Sequence, residues 1–518
     1  MKRTYLLLIL CFTTYFANAQ EPFITTWNVG SGLTIEIPII EDDEIPDSYT
    51  VDFGDGTVLI DQSGVTSHTY SNYGIYTVTI SGTFSRISFG EDNIDNNSFS
   101  LLTVEQWGDI QWTSMEEAFL NCQNLTITAT DIPDLSQVTN MSKMFWYCIS
   151  LNQSLNNWDV SNVTNMSETF RRATSFNEPL NDWDVSNVTN MESIFHGASS
   201  FNQPLNDWNV SNVTNMQRVF SGCYLLNQPL DNWDVSNVTN MQGMFGITQS
   251  FNQPLNNWDV SNVTNMGGMF SVSIFNQSLD NWDISNVTDI SGMFYNNNYF
   301  NQPLNSWDVS NVTDMEAMFF IASSFNQPLD SWDVSNVTNM GWMFLGSTSF
   351  NQDLSNWEFN SDITFEYTSD DHRFISYTAL DVENYDALLN RFVELGLENK
   401  EIGVEGLKYC DYETRDNLIN NLGWTIIGDN LAEDCTASME SFEENQLSVY
   451  PNPIKDVVYI QSDNLTVKEV TIYNLQGGQL ITAKQNLESI NTTNLSSGIY
   501  LLHIQTDKGL AKYKLVKN

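Results

Sequence analysis

The sequence predicts a multidomain, β-rich protein. Its centre is a β-solenoid-like stack of coils, each pairing a short strand with a short helical turn, set between two small β-sandwich domains. Three observations predict this. Tryptophans stand at 158, 183, 208, 233, 258, 282, 307, 332 and 357, a period of 25 residues with one step of 24. Each unit repeats one phrase, Trp-Asp-Val-Ser-Asn-Val-Thr-Asn-Met, then Met-Phe, then Phe-Asn-Gln-Pro-Leu, and a unit this short can bury an apolar face only against its neighbours. On either side of the repeats, over 20–95 and 447–518, short strand-like runs alternate with turn signals.

At the N-terminus, Lys2 and Arg3, an apolar run from Leu6 to Phe12, and the small-x-small triplet Ala17-Asn18-Ala19 read as a signal peptide over 1–19. No other stretch approaches the ~18 apolar residues of a spanning helix. Cys11 lacks the small residues expected ahead of a lipid-modified cysteine, so five cysteines remain in an oxidising compartment. The chain carries 19 basic and 64 acidic residues, a net charge of −45. Nucleic acid is therefore disfavoured as a partner, because it demands a basic stripe. Aromatics at 13% argue for packed structure rather than disorder.

The tightest signature in 20–95 is Val51-Asp52-Phe53-Gly54-Asp55-Gly56-Thr57, then His68-Thr69-Tyr70, then Gly74-Ile75-Tyr76-Thr77-Val78-Thr79-Ile80. The glycines suit a hairpin turn, and Tyr76 and Val78 share one strand face. This stretch resembles the PKD domain family, with Val51 at the family's usual tryptophan. The resemblance implies an Ig-like sandwich serving as spacer or binding module. Asp52 and Asp55 read as turn residues, since two carboxylates supply too few oxygens for calcium.

From 96 to 360 the repeats begin in degenerate form, with Trp107 and Pro133 in the later tryptophan column, and continue as nine regular coils. Leu155, Trp158, Val160 and Val163 follow the spacing of an inward-facing strand. Thr164 or Asn165 would cap one helical turn carrying Met166 and Phe170. The phrases Met-x-x-Met-Phe, Phe-Asn-Gln and Trp-Asp-Val-Ser-Asn-Val-Thr-Asn-Met resemble the BspA-like leucine-rich-repeat surface proteins. The departure is Val163, where an inward Asn or Cys is usual. The resemblance implies adhesion at a bacterial surface and carries over no binding residues.

Repetition turns every position into a column. The Trp and Phe columns read as core, and Asn177, Asn202 and Asn252 as an amide ladder satisfying backbone groups. Asp159, Asp184, Asp234, Asp259, Asp283, Asp308 and Asp333, interrupted by Asn209, would stack at ~4.8 Å. Like charges at that spacing repel by only about 0.8 kcal/mol in water, so a plain acidic face is the favoured reading, with calcium or a basic partner the sharper alternative. Recognition is expected where coils differ, after Met-Phe: Arg171, Arg172, Tyr295 and Phe320 stand there, and Arg218 lies in a nearby coil. Cys122 and Cys148 occupy one column in adjacent coils and are a candidate cross-link.

Residues 361–435 read as a C-terminal cap, with helices over Asp381–Leu395 and Asp411–Leu422. Cys410 and Cys435 enclose 24 residues and are expected to pair, closing a loop worth roughly 3 kcal/mol. A linker over 436–446 leads to the last domain, 447–518. From Pro451 on there are seven Lys and five acidic residues, against ten basic and 59 acidic over 20–450, a charge break that marks a separate domain. Tyr450-Pro451-Asn452-Pro453, Ile472-Tyr473-Asn474-Leu475-Gln476-Gly477, Leu495-Ser496-Ser497-Gly498-Ile499-Tyr500 and Lys514-Leu515-Val516-Lys517 are similar to the type A sorting domain of the Bacteroidetes type IX secretion system. That resemblance implies a second Ig-like sandwich, passage across the outer membrane, and attachment to the surface or release.

No enzyme is expected. The four histidines are scattered over different modules, and no nucleophile elbow, zinc spacing or phosphate loop appears. The expected function is a secreted or cell-surface adhesin or binding scaffold for an extracellular protein or glycan, without a cofactor unless calcium binds the Asp column. The alternatives are a carbohydrate-binding accessory to secreted hydrolases and a self-associating surface layer.

Overall fold

The computed structural model describes residues 20–518 apart from 31, 42–46, 91–96, 368–370, 434, 436–446, 463–464, 476 and 507–509. The expected signal peptide with Cys11, and the expected linker 436–446, lie outside the described residues. The fold is β-rich with few helices, and it divides into two compact units, Met1–Asn430 and Leu431–Asn518.

The first unit begins with strands β1 (Phe23–Val29), β2 (Thr34–Ile37), β3 (Ser48–Asp52), β4 (Val58–Gln62), β5 (Thr66–Thr69) and β6 (Gly74–Thr83), then a helical turn α1 (Asn97–Ser100), β7 (Leu101–Gln106) and β8 (Thr126–Ile127). A six-stranded sheet runs β4-β3-β6-β1-β7-β8, and β2 pairs with β5. Gly54, at φ +75°, is needed in the β3–β4 turn because a Cβ there would lie 2.5 Å from the Thr77 carbonyl oxygen. Asp52 and Asp55 are turn residues, accepting from the Gly54 and Thr57 amides at 2.9 Å, and Asp55 also meets His68 at 2.8 Å. The sheet does not stop at the repeats. β7 pairs antiparallel with β1, β8 pairs parallel with β7, and Trp107 sits edge-on to Trp158 at 5.3 Å. One hydrophobic core therefore runs unbroken from Phe23 to Trp424.

In each coil the expected columns are buried: Leu155, Trp158, Val160, Val163, Met166, Phe170 and Phe176 are at most 4% exposed. The expected strand and helical turn within the coil are corrected. The coil is a succession of turns, joined to its neighbours by one parallel bridge along Asn140, Asn165, Asn190, Asn215, Asn240 and onward to Thr364. The reason is how backbone donors are shared. Amides of Met141, Lys143, Phe145 and Tyr147 donate to carbonyls of the next coil at 2.8–2.9 Å, whereas those of Met144, Trp146 and Cys148 donate three residues back at 3.1–3.2 Å. An α-helix would send every amide back within its own coil and leave none for the neighbour. Positive φ at Lys143 and Tyr147, +57° and +64°, sets this alternation.

Side chains complete the stack. Trp183 Nε1 donates to the Leu155 carbonyl at 2.8 Å, a bond repeated by Trp208 to Leu180 and Trp258 to Leu230. Phe170 and Phe195 stack at 5.6 Å between ring centres, within 6° of parallel. The cross-link between Cys122 and Cys148 is also corrected, because both are free and buried. Cys148 Sγ donates to the Phe119 carbonyl at 3.0 Å, and Cys223 Sγ to that of Phe195 at 3.1 Å. Ser347 makes the same bond to Phe319, so this column takes a small donor, with thiol standing in for hydroxyl.

Beyond Glu358 the stack continues in altered form. Trp342 N–H donates to the Arg373 carbonyl, Phe374 N–H to Gly403 and Val404 N–H to Ile427. Helices α2 (Val382–Glu394) and α3 (Tyr412–Asn420) now replace the return turns, capped by Asp381 and Asp411. Strands β9 (Glu401–Gly403), β10 (Lys408–Tyr409), β11 (Thr425–Ile427) and β12 (Asn430–Leu431) follow in this region, β9 parallel to β11. Tyr385, Leu388, Leu389 and Phe392 of α2 close the core. Asp429 accepts both guanidinium bonds of Arg415 at 2.7 Å and the Tyr385 hydroxyl at 3.0 Å. Cys410 and Cys435 are both disulfide-bonded.

The second unit has its own core, centred on Ile454, Val458, Val470, Ile472, Leu502 and Leu515. Strands β13 (Leu447–Tyr450), β14 (Val457–Ser462) and β17 (Ser489–Asn491) form one sheet. A second sheet has the order β16 (Gln479–Ala483), β15 (Val467–Tyr473), β18 (Gly498–Thr506), β19 (Leu510–Lys517). The Tyr-Pro-Asn-Pro motif is tied to the last strand by Asn452, which accepts from the Val516 amide at 2.8 Å and donates to the Lys514 carbonyl at 2.6 Å.

Candidate functional site

The turn ladder after Met-Phe carries one continuous face of the stack. Its backbone bonds run coil to coil: Tyr147 to Arg171, Arg172 to His196, Gly197 to Ser221, Gly222 to Gly246, Ile247 to Ser271, Val272 to Tyr295 and Asn296 to Phe320, all at 2.6–2.8 Å. Core columns vary only among side chains of similar size and polarity, such as Phe176 and Leu226 or Met166 and Ile290, because a larger change there leaves a void or a clash. This face instead changes chemistry along its length.

Its first part is cationic. Arg171 lies over the Trp146 ring at 4.8 Å and Arg172 over Tyr147 at 5.9 Å. His196 stands beside them, its pKa held down to about 4 by burial first and then by Arg171, Arg218 and Arg172. Its Nδ1 and the Arg171 Nε are buried without a partner. Lys143 meets Glu117 at 3.5 Å and Arg171 meets Glu168 at 2.5 Å. The exposed Arg172 and Arg218 head groups have no carboxylate partner among the described residues.

The middle is paved with small residues, Ser221, Gly246 and Ser271, beside Gly243 and Gly268. A Cβ on Gly243 would lie 3.2 Å from the Arg218 side chain, so paving and cationic patch adjoin. The last part is aromatic. Tyr295 stacks on Phe320 at 4.6 Å, Phe320 on Trp342 at 5.0 Å and Trp342 on Tyr367 at 3.8 Å, with Arg373 over the Trp342 ring at 5.4 Å. These rings are half-buried except Tyr367, which is 40% exposed.

Arg171, Arg172 and Arg218 are thus brought together around His196, and Tyr295 and Phe320 are brought into contact some coils away. Sequence reading missed Trp146, Trp342 and Tyr367. The signal was present in the register, since Trp342 occupies the same column as Lys143, Glu168 and Arg218, with the first Met of each coil aligned.

The Asp column lies elsewhere on the coil and is engaged locally. Asp159, Asp184, Asp234, Asp259, Asp283, Asp308 and Asp333 each accept from the amide of the serine two residues on, at 3.0–3.1 Å. Hydrogen bonding by that serine, through its side chain first and then its amide, lowers the pKa of Asp184, Asp234 and Asp283. Asn209 makes the same turn with Ser211. No group of three or more His, Cys, Asp or Glu placed to hold a metal ion occurs among the described residues.

Residues 448–518 match the secretion system C-terminal sorting domain, which makes this a secreted or cell-surface protein of the type IX route. No helix among the described residues is long and apolar enough to cross a membrane. A curated relative, ulvan lyase NLR42 of Nonlabens ulvanivorans, is 34% identical over 90 residues, 17% of this chain. The chain spans about a sixth of that relative's length, 17%. Three segments, 113–225, 204–279 and 271–374, match the family described as Mycoplasma protein of unknown function, DUF285. Together these matches cover half of the 518 residues, and the chain belongs to the DUF285 family.

Proposed function

We propose that this is a non-enzymatic binding scaffold, delivered to the cell surface or the medium by its C-terminal domain, that holds a glycan on the irregular face of its coils. In this reading the repeats are a leucine-rich-repeat solenoid of the BspA-like kind, and the N-terminal sheet is a PKD-like, Ig-type spacer. The observation that carries the reading is the ring series Tyr295, Phe320, Trp342 and Tyr367, stacked at 3.8–5.0 Å on a face where other coils carry serine or glycine. Core needs no such rings, since the coils of Tyr295, Phe320 and Trp342 already bury the pairs Phe294 and Phe300, Phe319 and Phe325, and Phe344 and Phe350, with Trp307, Trp332 and Trp357. The rings cover one another's faces, so the series turns a row of apolar ring edges and tyrosine hydroxyls outward, and aromatic rings with a polar handle are enriched at binding sites for the area they contribute. The relative's name points to lyase chemistry in that protein, and with so short a match this chain is read as binding without cleaving.

An array displaying glycans and extracellular proteins, probed with the purified chain, tests the reading. Retention on glycans that are recovered uncleaved is expected. Retention on proteins alone, or cleavage of the bound glycan, overturns it.

A further inference from the structure

The distribution of cations along the stack narrows the ligand. Between residues 113 and 374 the chain has only five Lys and Arg: Lys143, Arg171, Arg172, Arg218 and Arg373. All five belong to the variable face. Lys143, Arg171 and Arg172 lie over Trp146 or Tyr147, Arg373 lies over Trp342, and Arg218 borders the glycine paving. Random placement around a coil would scatter them among the acidic columns.

Three of these charges are answered within the protein, Lys143 by Glu117, Arg171 by Glu168 and Arg373 by Asp371. Arg172 and Arg218 are exposed and remain unanswered among the described residues, in a chain of net charge −45. In such a chain an unpaired arginine has an abundance of carboxylates to choose from, so its isolation is a property of the face. Arginine's planar fork also matches carboxylate and sulfate geometry in a way lysine's point charge does not.

The spacing completes the argument. From the coil of His196 to that of Tyr295 is four coil steps, roughly 19 Å at ~4.8 Å per step. The intervening residues Ser221, Gly246 and Ser271 are too small to obstruct a chain lying across them. A bound chain would meet guanidinium groups at one end of this trough and a row of ring edges at the other.

We infer that the face binds an acidic polysaccharide, its carboxylate or sulfate groups paired with Arg172 and Arg218 and its sugar rings lying along the outward edges of Tyr295, Phe320 and Trp342. This deepens the glycan reading and rests on it.

The test titrates the full chain by calorimetry with four probes: a uronic-acid oligosaccharide, a sulfated oligosaccharide, a neutral glucan of equal length, and polyglutamate. Both acidic sugars are expected to bind at least about tenfold tighter than the glucan, on the scale of one charge-assisted hydrogen bond per anion. Binding by one acidic sugar alone supports the inference and identifies the anion. Arg172→Gln with Arg218→Gln should abolish that preference, with the melting temperature unchanged. Trp342→Ala should weaken acidic and neutral sugars alike, with circular dichroism confirming that the variant is folded. Equal binding of neutral and acidic sugars, or an arginine variant that keeps the preference, overturns the acidic assignment and leaves the glycan reading standing. Polyglutamate binding as tightly as the sugars overturns the saccharide. Failure of all four probes overturns both.

Discussion

The side-chain oxygen of Asn202 accepts a hydrogen bond from the backbone amide of Asn227, 2.9 Å away in the next coil. Asn177 does the same for Asn202 at 2.8 Å, so each asparagine satisfies the amide of its successor. Truncating Asn202 to Ala should remove the partner of the exposed Asn227 amide and cost ~0.5–1.5 kcal/mol. Asn202→Asp, which keeps the acceptor, should cost less. Urea unfolding of the two variants measures the order, and an alanine variant as stable as the parent would show that water replaces the ladder.

Backbone strain is separable from packing at two glycines. Gly292 has φ +57°, and a Cβ there would meet nothing closer than 3.7 Å. Gly292→Ala should therefore cost only the left-handed penalty, about 1–2 kcal/mol. A Cβ at Gly341 would lie 2.4 Å from the Glu366 carbonyl oxygen, where the chain leaves the repeats. Gly341→Ala should be the more damaging of the two in thermal melts, and the reverse ranking would contradict this account of the last coil.

If the Asp column serves as turn caps, the charge is dispensable. Asp259 Oδ1 accepts from Ser261 N at 3.1 Å, and Asn209 already does this for Ser211 at 3.2 Å. Asp259→Asn should leave the melting temperature within about a degree, a change below ~0.5 kcal/mol, as expected for a surface substitution that keeps its bond. Calcium should produce neither heat nor a melting shift. A calcium-dependent rise in melting temperature that weakens in Asp259→Asn would restore the metal reading.

His196 gives the face a pH signature. Its folded pKa is about 4, below the usual 6.5, so between those values the unfolded chain takes up a proton that the folded chain refuses. Its contribution to stability is complete above pH 6.5 and is lost as pH falls toward 4. The His196→Gln variant should lose stability less steeply over that window. NMR titration with labelled histidine should find His196 neutral at pH 5, and a midpoint near 6.5 would remove the effect.

Much of this fold was legible because repetition converts a single inward side chain into a column. Trp158 and Phe170 could be assigned to the core from phase alone, and the apolar spacing of Tyr385, Leu388, Leu389 and Phe392 marks a helix that forms at Val382–Glu394. The conformation within the coil was not legible. Met166 and Phe170 at i, i+4 read as helical, but their amides bond to the next coil at 3.0 and 2.8 Å, and only assembled coils offer those acceptors. The thiol column failed for a related reason: sequence placed Cys122 and Cys148 as neighbours without showing that Cys148 Sγ finds the Phe119 carbonyl.

The candidate face divides the same way. Sequence by itself determined the period, the buried columns, the sorting domain and the scarcity of cations, because each is a matter of composition or spacing along one chain. Only the tertiary structure decided that all five cations from 113 to 374 share a face. It alone set the Phe320 ring against Trp342, which sits in a different column. Stacking coils brings residues about 25 positions apart within contact distance, so that neighbourhood exists only once each coil has closed on the one before it.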